Sequence, residues 1–189
     1  VQWFHKNGYQ SSNYQIVEAK KREVSISFDP NLRQHMISIQ EAKKEFSRFA
    51  NYADYCFGIE PLLLDNDDFT LFDRENSTLN NLEKRMRNLK EKFQLKAIFH
   101  TIRKIDESGI NYYQAFAYDG TFHTSKKLKT RSLQRIGSGD AFVAGALYKL
   151  LTSCAMDESL NFAVAAGSFK CTIATDHLHH QAKQIEELL

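Results

Sequence analysis

Gly137, Ser138, Gly139 and Asp140 stand directly before a long apolar run in QRIGSGDAFVAGALYKLL, residues 134–151. The two glycines carry no Cβ, so the backbone there is free to take unusual dihedrals and to bring its N–H groups against a ligand. Those N–H groups, with the positive end of the helix that the apolar run predicts, make a seat for an anion. A carboxylate at the same helix start, beside a bound phosphate, is placed to take a proton from an alcohol, so the chemistry would be phosphoryl transfer to a hydroxyl. The stretch is not a Walker A loop, because no Gly-Lys-Ser/Thr follows. Nor is it the dinucleotide fingerprint, because Phe142 occupies the third glycine position. On spacing alone, Asp140 as a plain cap of a core helix is an equal reading.

Other residue groups are open to two readings. In SFDPNLR, residues 27–33, Arg33 offers a planar fork that suits a carboxylate or a phosphate, and Asn31 supplies a neutral donor and acceptor beside it. Asp29-Pro30-Asn31 is also ordinary turn chemistry. HLHH, residues 177–180, has no Cys or carboxylate at ligand spacing and reads as a solvated loop rather than a metal site. EKRMRNLKEK reads as the wet face of an amphipathic helix. Tyr112, Tyr113, Phe116 and Tyr118 read as strand packing.

The elements that must position these residues alternate between strands and helices. Strands are predicted over 22–28, 54–59 and 96–102, and two more over 111–128 around the turn Asp119-Gly120. Helices are predicted over 38–51, with Phe46 and Phe49 three apart, and over 76–93, with Asn76 and Ser77 as cap candidates and Leu79, Leu82, Met86, Leu89 and Phe93 at helical spacing. Two further helices are expected at about 139–151 and 157–170, and a short last one near the end. Strands alternating with helices imply an α/β fold, a doubly wound and mostly parallel sheet flanked by helices, with an antiparallel hairpin attached.

With 189 residues, 42% apolar and 25% charged, the chain can bury a sizeable core and reads as one domain. A net charge of +2 spread along the sequence gives no basic stripe, so nucleic acid is not an expected partner. No apolar run reaches the roughly 18 residues of a membrane span, so no membrane association is expected either. The three cysteines lack CxxC spacing and sit in apolar segments, which fits buried free thiols and a cytoplasmic setting.

GSGDAFVAGALYKLL resembles the C-terminal signature of the ribokinase-like, or PfkB, carbohydrate kinases, G-A-G-D-x-F-x-A-G followed by an apolar helix. The resemblance implies that Asp140 is the base that deprotonates a sugar hydroxyl and that the amides of Gly137, Ser138 and Gly139 form an anion hole. SFDPNLR resembles the FDxNxR of the family's 2-keto-3-deoxygluconate kinases, and QRIGSGDAF their DRIGxGDAF more than the DTTGAGD of ribokinases. That implies a sugar-acid substrate held by Asn31 and Arg33. ADYCFGIEP falls where the family has N-x-x-E: Glu60 matches and would organise Mg²⁺ through water, whereas Phe57 does not match. AIFHTIR is similar to the strand entering the nucleotide site, making Thr101 and Arg103 candidates for phosphate contact. NFAVAAGSFKCTIATD resembles the helix beside the adenine, where Ala163, Ala166 and Gly167 would leave room for a flat ring, although small residues in a helix also serve plain close packing. Gln134 replaces a usual acidic residue of a monovalent-cation site.

WFHKNG, residues 3–8, resembles a mid-chain W-x-H-x-S-G segment, so the likeness spans residues 1–189 but only the C-terminal catalytic and nucleotide-binding part of a normal member. The family's lid and first strands would lie upstream, and the stretch from Gly8 to Val24 reads as shorter than usual for the helix expected there. The implied function is that of a transferase: ATP- and Mg²⁺-dependent phosphorylation of a sugar or sugar acid, with 2-keto-3-deoxygluconate favoured. A neutral-sugar kinase and a catalytically silent remnant are the alternatives, activity of the 189 residues alone is in question, and a homo-oligomer is left open.

Overall fold

β1 (Ser27–Phe28), β2 (Tyr55–Phe57) and the start of β3 (Ala97–Ile105) pair in parallel, with Phe28 opposite Cys56 and Cys56 opposite Ile98. The structure is a computed structural model that describes residues 8–74, 76–175 and 177–189, so residues 3–7 of the WFHKNG segment lie outside it. It divides into two units, up to Phe99 and from His100 onward.

In the first unit, α1 (Gly8–Lys21), α2 (Ile39–Ala50) and α3 (Leu79–Phe93) accompany the parallel strands. The helix expected in the stretch after Gly8 is present as the 14-residue α1. Its end corrects the strand predicted over 22–28. The Arg22 and Val24 amides bond the carbonyls of Ala19 and its neighbours, and Glu23 turns to a φ of 57°, so residues 22–24 close the helix instead of extending a strand. Asp54 then fixes where the strand begins. Its carboxylate accepts from the Ile26 amide at 2.8 Å and from Lys20 at 3.0 Å, and Lys96 lies 3.4 Å away.

Ser38 caps α2 by accepting from the Glu41 amide, and Thr78 caps α3 by accepting from the Asn81 amide. The α3 cap is thus Thr78, because Asn76 is occupied with Asp73. Leu82, Met86, Leu89 and Phe93 are buried as their spacing predicts, whereas Leu79 is exposed. The polar face of α3 is only partly wet, since Arg85 donates to Asp68 and to the Leu62 carbonyl, and Lys92 bonds the Leu63 and Leu64 carbonyls. Lys43 of α2 lies 2.9 Å from the same Asp68 carboxylate. Burial acts most strongly on both charges. It pushes the Asp68 carboxyl up, but the Arg85, Leu64 and Lys43 contacts outweigh it and hold Asp68 below the usual carboxylate range; at Lys43 burial prevails and its pKa is lowered. The long connection between β2 and α3 is thereby strapped to two helices.

The second unit contains the rest of β3, then β4 (Ile110–Tyr118), β5 (Phe122–Thr124), β6 (Leu128–Arg131), α4 (Ser138–Leu151), α5 (Met156–Cys171) and α6 (Ala182–Glu186). β4 pairs antiparallel with β5 over residues 116–118 and with β6 over 110–113. Between the two ladders Ser125 keeps the backbone satisfied, accepting from the Ala115 amide and donating to the Lys126 carbonyl. α5 is buried nearly all round because it packs against both the sheet and α4. The α4–α5 approach depends on small residues, since a Cβ on Gly145 would lie 3.0 Å from the Ala166 Cβ and 3.2 Å from the Ala163 Cα.

The expected α/β architecture is therefore present as a mixed sheet flanked by helices, parallel in the first unit and antiparallel at β4–β6. The three cysteines are free, with Cys56 and Cys171 buried. Among the described residues no helix is long and apolar enough to cross a membrane.

Candidate active site

The chain enters α4 through Gly137, whose φ of 76° lies in the left-handed region that glycine adopts without strain. No side chain caps this helix. Among the described residues the amides of Gly137, Gly139 and Asp140 have no acceptor, while the Ser138 amide bonds the Arg135 carbonyl at 3.3 Å. Three unsatisfied donors at the positive end of a 14-residue helix are a seat for an anion. The anion-hole expectation is thereby narrowed: Ser138 gives its amide to the turn, and Asp140 adds its own.

Asp140 sits in the first turn of α4, exposed, and no described side chain or amide pairs with its carboxylate. It is not the helix cap, since Gly137 holds that position and caps nothing. A carboxylate free of internal partners beside free amides is able to accept a proton from a hydroxyl brought to that place.

The turn leading into α4 is held from the sheet. Ser138 is 1% exposed; its Oγ accepts from Arg103 Nη1 at 2.6 Å and donates to the Arg135 carbonyl at 2.7 Å. The Arg103 guanidinium lies over the Tyr113 ring, 4.0 Å from its centroid. Burial pushes the Tyr113 phenol up, while Arg103 and Thr101 pull it the other way. On the far side, Gly167 leaves no room: a Cβ there would stand 2.5 Å from Tyr113 Cε1 and 3.0 Å from the Ser138 carbonyl. Thr101, Arg103, Tyr113, Ser138 and Gly167 thus form one packed cluster beneath the anion seat. Tyr113 was legible only as a strand-packing residue; nothing in its local sequence signals the arginine ten positions earlier.

Asp140 and Gly137 border a cavity of about 910 Å³, with an apolar wall that includes Ala144, Phe162, Ala166 and Leu178. Of the three small residues expected beside a flat ring, Ala166 faces this cavity. Ala163 packs against Gly145 of α4, and Gly167 against Tyr113 of β4. His177 and His180 also line the cavity, as does Lys170. The loop taken from sequence for solvated surface therefore forms part of the wall. Among the described residues no group of three or more His, Cys, Asp or Glu is arranged to hold a metal ion.

Asn31, Arg33 and Glu60 belong to the first unit. Asn31 has a φ of 40°, and its amide donates to Asp29 Oδ1 at 3.0 Å, so the turn chemistry is present. Arg33 is exposed just beyond it, with no partner for its guanidinium among the described residues. Glu60 is buried and accepts from Arg74.

The solved structures similar to this chain include 2-dehydro-3-deoxygluconokinase from Thermotoga maritima, at 23% identity and a TM-score of 0.82, covering 93% of this chain and 53% of that one. A PfkB family carbohydrate kinase from Listeria grayi matches at 24% identity and a TM-score of 0.78, covering 94% and 54%. A provisionally assigned ribokinase II from Escherichia coli, solved with ATP and Mg²⁺, matches at 17% identity and a TM-score of 0.70, covering 98% and 55%. These likenesses carry the fold, and the chain spans about half the length of the structures it matches. A search of curated proteins gives no match. The sequence pattern of the pfkB family of carbohydrate kinases matches residues 10–175, most of the chain, and with the glycine-led α4 start, its free carboxylate and the ribokinase-like fold in place, the chain belongs to that family.

Proposed function

We propose that residues 1–189 form the catalytic and nucleotide-binding part of a kinase that transfers the γ-phosphoryl group of ATP to the terminal hydroxyl of a sugar acid, 2-keto-3-deoxygluconate being the favoured substrate. The observation that carries this reading is the Asp140 carboxylate, free of internal partners, beside the unsatisfied amides of Gly137, Gly139 and Asp140 at the rim of the cavity. Asp140 takes the proton from the substrate hydroxyl as its oxygen attacks the γ-phosphorus in line. The α4 amides hold the charge that builds on the transferring group. The Arg103–Ser138 bond keeps the amides in place. Nucleotide fits the residues present, because the cavity offers backbone donors at one end and an apolar wall beyond them. Mg²⁺ accompanying the nucleotide would neutralise charge on the phosphate oxygens, with Glu60 acting through water.

Arg33 is proposed to grip the substrate's carboxylate, with Asn31 beside it. The setting is proposed to be cytoplasmic, in line with buried free thiols. The test compares two variants in an enzyme that contains this chain. Asp140→Asn should lower turnover by about 10²- to 10⁴-fold while ATP still binds; turnover within a few-fold of wild type would reduce Asp140 to a helix residue. Arg33→Leu should raise KM for 2-keto-3-deoxygluconate far more than for a neutral hexose. Equal losses on both would point instead to a phosphate role for Arg33.

A further inference from the structure

Lys170 lies in the last turn of α5, 1% exposed, and its Nζ has no hydrogen-bond partner among the described residues. It nevertheless lines the cavity that Gly137 and Asp140 border. A lysine head group carries three donors and accepts nothing. Enclosing such a group without an acceptor is strongly unfavourable, so its acceptor comes from the cavity, as a ligand or as water. The α4 amides supply a second, independent set of donors at the same cavity.

Two separate donor sets call for a ligand with more than one anionic group. The apolar wall of Phe162, Ala166, Leu178 and Ile185 calls for a flat apolar body on the same molecule. A neutral sugar could accept from Nζ but would leave its charge uncompensated, and a single small anion would leave the wall uncovered. A nucleoside di- or triphosphate meets both demands. We propose that Lys170 is a phosphate-binding residue of this cavity, engaging the phosphate chain of a nucleotide whose transferable end lies at the α4 amides. The inference rests on the kinase reading and names the residue that grips the donor.

The experiment uses ADP, adenosine and inorganic pyrophosphate as probes on wild type, Lys170→Met and Lys170→Gln. Lys170→Met removes an unsatisfied buried group while keeping volume, so without ligand it should melt higher than wild type, by about 2–4 °C. ADP affinity should fall on the order of 10- to 100-fold in both variants, while adenosine affinity should stay within about twofold. Pyrophosphate should raise the melting temperature of wild type and not that of the variants. A Lys170→Met protein that melts lower, or does not fold, would show that Nζ serves the fold and would overturn the proposal. Equal ADP binding by wild type and variants would overturn it while leaving the nucleotide reading standing. Pyrophosphate binding that depends on Lys170, without ADP binding, would sustain the anion site and sink the nucleotide. Binding of neither probe by wild type would sink both.

Discussion

Gly167 shows how one missing methyl group sets the site. An alanine in mid-helix ordinarily gains up to about 1 kcal/mol over glycine, yet here the added Cβ would meet Tyr113 Cε1 at 2.5 Å. Tyr113 cannot retreat, being 1% exposed and covered by the Arg103 guanidinium. Overpacking of this kind costs about 1–3 kcal/mol, so Gly167→Ala should lower the urea-unfolding midpoint despite its better helix propensity. It should also disturb the Ser138 turn that Tyr113 and Arg103 support, raising KM for nucleotide. A midpoint at or above wild type would mean the ring yields freely. At this scale Asp140, Gly137 and Gly139 were legible because their chemistry is local: glycines that free amides, followed by a carboxylate. The Arg103–Ser138 contact was not, because the two residues are 35 positions apart in sequence.

Among the elements, β5 and the start of α5 are joined by a histidine between two carboxylates. His123 Nδ1 lies 2.8 Å from Asp157 and Nε2 3.2 Å from Asp119. Burial pulls the His123 pKa down, but the Asp157 and Asp119 contacts outweigh it and the net shift is upward. A group whose pKa is raised by folding contributes stability that is fully present below its unfolded value, about 6.5, and is lost as pH rises through the folded value. Between pH 6 and pH 9 the unfolding free energy should therefore fall by about 1 kcal/mol, a modest figure because Asp157 is largely exposed. His123→Gln should remove that slope, and a slope unchanged in the variant would place its origin elsewhere. The helices α2 and α3 were legible from their apolar spacing and α4 from its apolar run. α1 was not, because GYQSSNYQIVEAKK carries no strong apolar periodicity. β1 was overextended because Val24 and Ile26 continue the alternation of a strand, while the backbone at residues 22–24 is already committed to ending α1.

At the scale of the whole molecule, four of the exposed large apolar side chains lie within the stretch that leads into and through α4. Leu133 and Ile136 are 68% and 67% exposed, Tyr148 49% and Leu151 80%. Large apolar groups grouped within twenty residues of one another tend to be covered by a partner surface. The 189-residue polypeptide should accordingly run in light scattering above its 21.8 kDa monomer mass. Replacing Leu133 and Leu151 with lysine should return it toward monomer; a monodisperse monomer in the unmodified chain would dismiss the surface.

The helices α2, α3 and α4 do not begin alike. Ser38 and Thr78 close the first turns of α2 and α3 from within the sequence, whereas α4 begins at a glycine that closes nothing. α2 and α3 are finished objects, and α4 is one whose first turn is completed by whatever anion arrives. Amide protons of Gly137, Gly139 and Asp140 should therefore trade with deuterated solvent quickly in the empty protein and slowly once the seat is filled, while those at the starts of α2 and α3 keep a constant pace. The opening of α4 would then report occupancy through the clock of its own backbone.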